Sequence, residues 1–323
     1  MPCSPTLPFD LRPIPEPKDS AMNAQPAATS IEQYLAQLRA ALADADPALL
    51  QDALYDAEEY LRSELAAQPG RNAAEVIAEV AGSYGAPDEV AEIYRQTEVK
   101  VARALKPPPQ PVRRSTLGQF FGVAADPRTY AALFYLLLSL ATGIFYFTWV
   151  VAGWSLSLGL SILIIGIPFI VLFFASTRLL SLVEGRIVET MLGERMPRRP
   201  LYSTRGQPWL KRIGGMFSDP RTWSTCLYML LMLPLGILYF TVTLTGFVMS
   251  LGLIAAPVVQ LLSGAGWLYL DGDVDFTPPL ILAPVIAAAG VALLFAMLHL
   301  VRGIGRLHGK LAKHLLVKVA QYD

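Results

Sequence analysis

The chain has 323 residues, with 26 Lys and Arg against 26 Asp and Glu, so its formal net charge is zero. Hydrophobic residues make up 54% and charged residues only 16%, well under the roughly one quarter charged that soluble domains carry. Zero also conceals an asymmetry: residues 1–103 hold 17 acids and 8 bases, residues 104–323 hold 9 acids and 18 bases. A basic nucleic-acid binder and a disordered acidic chain are excluded. So is a disulfide-stapled scaffold, since the two cysteines, Cys3 and Cys226, fall in a Pro-rich tail and an apolar segment.

Residues 1–29 are rich in Pro and Ala and lack an apolar core segment, so they predict a disordered tail rather than a signal peptide, with Met22 a second candidate start. Ser30 then opens a helix, with Gln33 in the capping-box position and Ile31, Tyr34, Leu35, Leu38 and Leu42 as its stripe. Asp46-Pro47 starts a second helix striped by Leu50, Leu54, Leu61 and Leu65, which Pro69-Gly70 breaks. Asn72 and Glu75 open a third helix carrying Val76, Ile77 and Val80. Gly85-Ala-Pro87 ends it, and a fourth follows with Val90, Ile93 and Tyr94. The expectation is an acidic helical domain over 30–104, then a stiff Pro-rich linker over 105–116.

Charged residues are absent from Thr129 to Thr177, from Thr222 to Leu270, and from Phe276 to Leu298. About 20 apolar residues cross a hydrocarbon core of about 30 Å, and backbone groups in lipid must satisfy one another, so helices are expected. The crossings fall near 130–152, 157–179, 223–247 and 280–301, with the first pair divided at Gly153-Trp154-Ser155. Ser250–Leu270 is open between a helix extension, a broken re-entrant segment and a fifth crossing. Four crossings place all the Lys and Arg of this half on one side, the positive-inside pattern with both termini cytoplasmic.

Asp126-Pro-Arg-Thr129 recurs as Asp219-Pro-Arg-Thr222, and at that offset residues 126–160 match 219–253 at 18 of 35 positions. The matches include Tyr135 with Tyr228, Gly143 with Gly236, and Tyr146-Phe-Thr148 with Tyr239-Phe-Thr241. Shared greasiness does not align such motifs in order; duplication does. The expected domain over 117–318 is therefore four-helical, two parallel helical-hairpin repeats, and the whole chain is all-α. Gly153, Ser157, Gly246 and Ser250 are small residues suited to close helix approach. Trp149, Trp154 and Trp267 are expected at the outer interface, and Trp209 and Trp223 at the inner one.

Candidate functional residues fall in three groups. Trp267, Tyr269, Asp271, Asp273 and Asp275 form an outer loop that could present chemistry to a stimulus, but its spacing departs from a calcium loop at Phe276 and Leu282. Asp52, Asp56 and Glu59 share one helix face and suit a partner-docking surface better than acid–base catalysis, because no cleft, histidine or nucleophile accompanies them. Arg128, Arg221, Arg302, Arg306, Lys310 and Lys313 read as inner-interface anchors. On the last helix the bases oppose a stripe of Leu300, Ile304, Leu307, Leu311 and Leu315. His299, His308 and His314 share no metal spacing, and no phosphate loop, zinc signature or triad pattern occurs. Neither a cofactor, a metal site nor an enzyme activity is expected, and apart from Arg178 and His299 at their ends the crossings as drawn hold no ionisable residue, which weighs against a transporter.

Tyr34-Leu35, Leu38 and Leu42, then Asp56 and Glu59, then Tyr84-Gly-Ala-Pro-Asp-Glu-Val-Ala91 resemble the HAAS signalling domain, a small bacterial cytoplasmic module. The repeat half is similar to the "sensor" membrane domain found ahead of bacterial histidine kinases. That similarity rests on Tyr135–Leu140, Gly143–Thr148, Ser157-Leu-Gly-Leu160 with Gly166-Ile-Pro168, and the basic helices Arg186–Gly193 and Arg306–Leu316. The resemblance implies signal reception in the bacterial cell membrane, with a cytoplasmic protein partner such as a PadR-type transcription regulator. No phosphoacceptor helix or ATP-binding domain is expected, so kinase activity is not expected to carry over. The expected function is a membrane sensor relaying an outer or bilayer cue; the alternative is a structural or accessory membrane subunit. The lipid bilayer is the other expected partner, no direct nucleic-acid contact is expected, and self-association stays open.

Overall fold

The computed structural model describes residues 28–105, 115–160, 162, 166–198, 214, 219–264 and 279–317. Helices α1 (Ile31–Ala41), α2 (Pro47–Ala67), α3 (Ala73–Tyr84) and α4 (Pro87–Leu105) form the front domain. Three of the four starts are set by a short polar side chain. Ser30, Asp46 and Asn72 accept from the backbone N–H of Gln33, Ala48 and Ala74, which satisfies donors the helix itself cannot. Tyr34, Leu38, Leu42, Leu61 and Ile77 are fully enclosed in the core between the helices. Gly85 takes φ +115°, so the chain turns there at a conformation that suits glycine, and Tyr34 Oη donates to its carbonyl at 2.8 Å.

A short helix α5 (Thr116–Gly122) leads into four long ones: α6 (Pro127–Leu160), α7 (Gly166–Leu192), α8 (Pro220–Gly264) and α9 (Ala283–Leu316). All four are long and apolar enough to cross a membrane, and no strand occurs among the described residues. The chain is an all-α membrane protein. Gly153-Trp154-Ser155 does not turn; it lies inside α6, which runs on to Leu160. Gly153 is instead a packing position, where a Cβ would stand 2.2 Å from the Phe173 ring. Gly246 does the same against Met297 in the second copy. Of the options for 250–270, a helix extension holds as far as Gly264. Residues 265–270 lie outside the described part.

The two copies meet through the first long helix of each. Gly143 faces the Met232 carbonyl while Gly236 faces the Ser139 carbonyl, and the rings of Trp154 and Trp223 lie 5.4 Å apart. As one number rises the other falls, so α6 and α8 run antiparallel where they cross. The same contact brings together two tryptophans expected on opposite interfaces. Charge counting assigned each connection to a side, but it carries no information about which helices become neighbours. The 45-residue α8 is about 67 Å long, over twice the hydrocarbon thickness, so its crossing with α6 need not coincide with a simple perpendicular span.

Candidate functional site

At the heart of the membrane domain six side chains from four helices share one polar cluster. Glu184 on α7 and His308 on α9 are 1% and 0% exposed. Tyr135 Oη lies 2.7 Å from Glu184 Oε1 and 2.7 Å from His308 Nε2. Tyr228 Oη repeats the bridge at 3.0 and 3.1 Å. Tyr146 donates to Glu184 Oε2 at 2.9 Å, and Tyr239 Oη lies 3.3 Å from His308 Nδ1. The cluster obeys the repeat: Tyr135 corresponds to Tyr228 and Tyr146 to Tyr239, while Glu184-Gly-Arg186 corresponds to His308-Gly-Lys310.

One assignment of the hydrogens satisfies the whole cluster. In it Glu184 is ionised and accepts from Tyr135, Tyr228 and Tyr146. His308 then donates from Nε2 to a bridging tyrosine oxygen and accepts at Nδ1 from Tyr239. A buried carboxylate is tolerated only with such satisfaction. This is an ionisable site inside the long apolar helices. The crossings expected from the sequence close at residues 179 and 301, beside Arg178 and Arg302, which leaves Glu184 and His308 outside them. The available signal was four tyrosines, at equal 11-residue spacing in both copies, each pair on one helix face.

Those two arginines bind crosswise. Arg178 of the first copy reaches Asp219 of the second at 3.0 Å, and Arg302 of the second reaches Asp126 of the first at 2.7 Å. Each aspartate also caps its own helix, accepting from the backbone N–H of Arg128 or Arg221. The repeated Asp-Pro-Arg-Thr is thus both a helix start and a clasp between copies.

The second arrangement is the contact between the front domain and the membrane domain. Asp46 pairs with Lys313 at 2.5 Å. Arg195 pairs with Asp52 at 3.4 Å and Glu98 at 3.1 Å, and the Arg198 N–H donates to Asp52 at 2.6 Å. Arg221 donates to Gln51 at 2.7 Å. Burial alone pulls the Arg195 pKa down, but the carboxylates of Glu98, Asp52 and Glu189 outweigh it and the value is raised. An acidic domain therefore rests on cations delivered by both copies.

The expected docking face is divided. Asp52 makes the contact, whereas Asp56 turns inward and accepts from Tyr94 at 3.0 Å. Glu59 is also engaged. The expected anchors divide likewise. Arg221 and Lys313 serve the front domain, Arg302 serves Asp126, and Arg128, Arg306 and Lys310 surround a separate cavity. On α9, Leu300 and Leu307 stay exposed while Val301, Gly305, His308 and Ala312 face the core. Trp267, Tyr269, Asp271, Asp273 and Asp275 lie outside the described residues.

A buried polar centre, a duplicated apolar helix pair and a docked acidic module make up a membrane protein, and two family matches support a signalling type. Residues 135–316 match the family described as "Putative sensor", and residues 33–93 match the HAAS family. The sensor match spans more than half of the chain, which belongs to that family. No curated protein and no solved structure matches it.

Proposed function

We propose that the protein is a non-catalytic membrane sensor whose helical front domain is held on the membrane domain at rest and engages a cytoplasmic protein when released. The observation that carries this reading is the ion-paired contact of Asp46, Asp52 and Glu98 with Lys313 and Arg195. Arg195 follows α7 and Lys313 lies near the end of α9, so movement of either hairpin shifts one side of the cradle. The same contacts support a common side for the front domain, the α7–α8 connection and the end of α9. With the clustering of Lys and Arg, that favours cytoplasmic termini in a bacterial inner membrane.

The test is photo-crosslinking in cells from Ala66, on the exposed part of α2, in the wild type and in R195E. Release by R195E should increase crosslinks to a cytoplasmic protein; a transcription regulator would fit the reading most directly. A fixed, stoichiometric membrane complex caught equally in both forms would overturn it and favour an accessory subunit.

A further inference from the structure

A cavity of about 210 Å³ opens where the start of α6, the end of α7 and the middle of α9 meet. Arg128, Arg302, Arg306 and Lys310 line it, with Glu194 on the rim. Arg302 is partly spent on Asp126 at 2.7 Å. Four cations thus face two carboxylates, and positive charge is left over. The side chains of Arg128, Arg306 and Lys310 are exposed. Its floor is shaped by Gly305, where a Cβ would stand 3.0 Å from that of Ala132. The walls include Met191 and Leu192, and Leu307, next to Arg306, is 69% exposed.

The duplication supplies an internal comparison. The corresponding corner of the second copy holds Arg221, the equivalent of Arg128. There Arg221 donates to Gln51, so the front domain covers that corner. The first-copy corner keeps the same kind of cation, carries Lys310 where the second-copy corner has Arg186 paired with Glu189, and adds Arg306 where the second-copy corner has Leu182. A concave cluster of guanidinium and ammonium groups beside apolar surface fits a phosphate attached to hydrocarbon. At this volume it suits a headgroup rather than a larger metabolite, for which pockets run upward of about 300 Å³.

We propose that this cavity binds the phosphate of an anionic phospholipid, with the acyl chains lying along the exposed leucines of α9. The site does not depend on the front domain undocking. It is tested on the full-length protein in nanodiscs of phosphatidylcholine with added phosphatidylglycerol, reading retained lipid by native mass spectrometry. R306Q/K310Q should lower retention of phosphatidylglycerol about 30-fold, at about 1 kcal/mol per basic residue. R39Q/R71Q, which removes the same charge from the front domain, should leave it unchanged. R128Q alone should lower it several-fold, and serves if the double variant does not fold.

Unchanged retention in R306Q/K310Q and R128Q, or equal retention of phosphatidylcholine, would overturn the proposal. Displacement of the lipid by inorganic phosphate at comparable concentration would also overturn it, assigning the cavity to a soluble anion.

Discussion

Glu184 illustrates how much one side chain can organise at the residue scale. Three tyrosine hydroxyls converge on its carboxylate, so Glu184→Ala strands three buried donors and should cost about 3 kcal/mol or more. Tyr135→Phe removes a bridge to both Glu184 and His308 and should cost about 1–3 kcal/mol, whereas Tyr239→Phe, at 3.3 Å from His308, should cost at most about 1 kcal/mol. Thermal unfolding in detergent ranks the three. An equal cost for Tyr135→Phe and Tyr239→Phe would contradict the shared bridge.

Tyr34 in the front domain offers a pH test. Burial, then the nearby Tyr84, Asp88 and Glu89, push its hydroxyl well above the ordinary tyrosine value. Its folded pKa therefore exceeds the unfolded value of about 10. The stabilisation is complete below about pH 10 and falls as pH rises toward the folded pKa. Tyr34→Phe should lower stability at neutral pH, through loss of the 2.8 Å bond to the Gly85 carbonyl, and flatten the alkaline decline. Denaturant unfolding followed between pH 8 and about 11 checks both.

Helix packing turns on two glycines. A Cβ at Gly143 would lie 2.4 Å from the Met232 carbonyl oxygen, and one at Gly236 would lie 2.4 Å from that of Ser139. Both obstacles are backbone, so neither helix can yield by rotating a side chain. Gly143→Leu or Gly236→Leu should separate α6 from α8 and cost about 3 kcal/mol. Gly159→Ala and Gly252→Ala meet nothing within 4 Å and should be neutral or stabilising by up to about 1 kcal/mol. Folded yield and melting temperature distinguish the pairs.

The elements themselves were readable because their causes are local. Ser30, Asp46 and Asn72 announce helix starts by chemistry that acts over three residues, and the repeat announces itself through Asp-Pro-Arg-Thr and Tyr-Phe-Thr. The antiparallel crossing was not readable, since Gly143 and Gly236 state only that something approaches closely. The cluster was hidden for another reason. Arg178 and Arg302 look like interface residues by charge, yet each is drawn to an aspartate of the other copy.

At the scale of the whole molecule the zero net charge resolves into an intramolecular contact. Asp52 is 6% exposed and shares Arg195 with Glu98 and Glu189. R195E would set a fourth carboxylate among these three and should weaken docking by about 2 kcal/mol or more. Spin labels at Ala66 and Leu307 would show one narrow distance in the wild type and a broadened one in R195E. High salt should broaden the wild-type distance in the same direction, because the pairs are only partly buried.

The crosswise clasp bears on how the duplicated chain came to differ from a pair of identical subunits. Each hairpin holds half of two salt bridges and half of the tyrosine cluster, so a lone hairpin would find its missing halves only in a twin. Such a symmetric pair would set carboxylate against carboxylate, or imidazole against imidazole, at its centre. Joining both copies in one chain removes that constraint and lets one position be Glu184 while its counterpart is His308. The cost of identity is avoided, and an acid and a base share the same two hydroxyls.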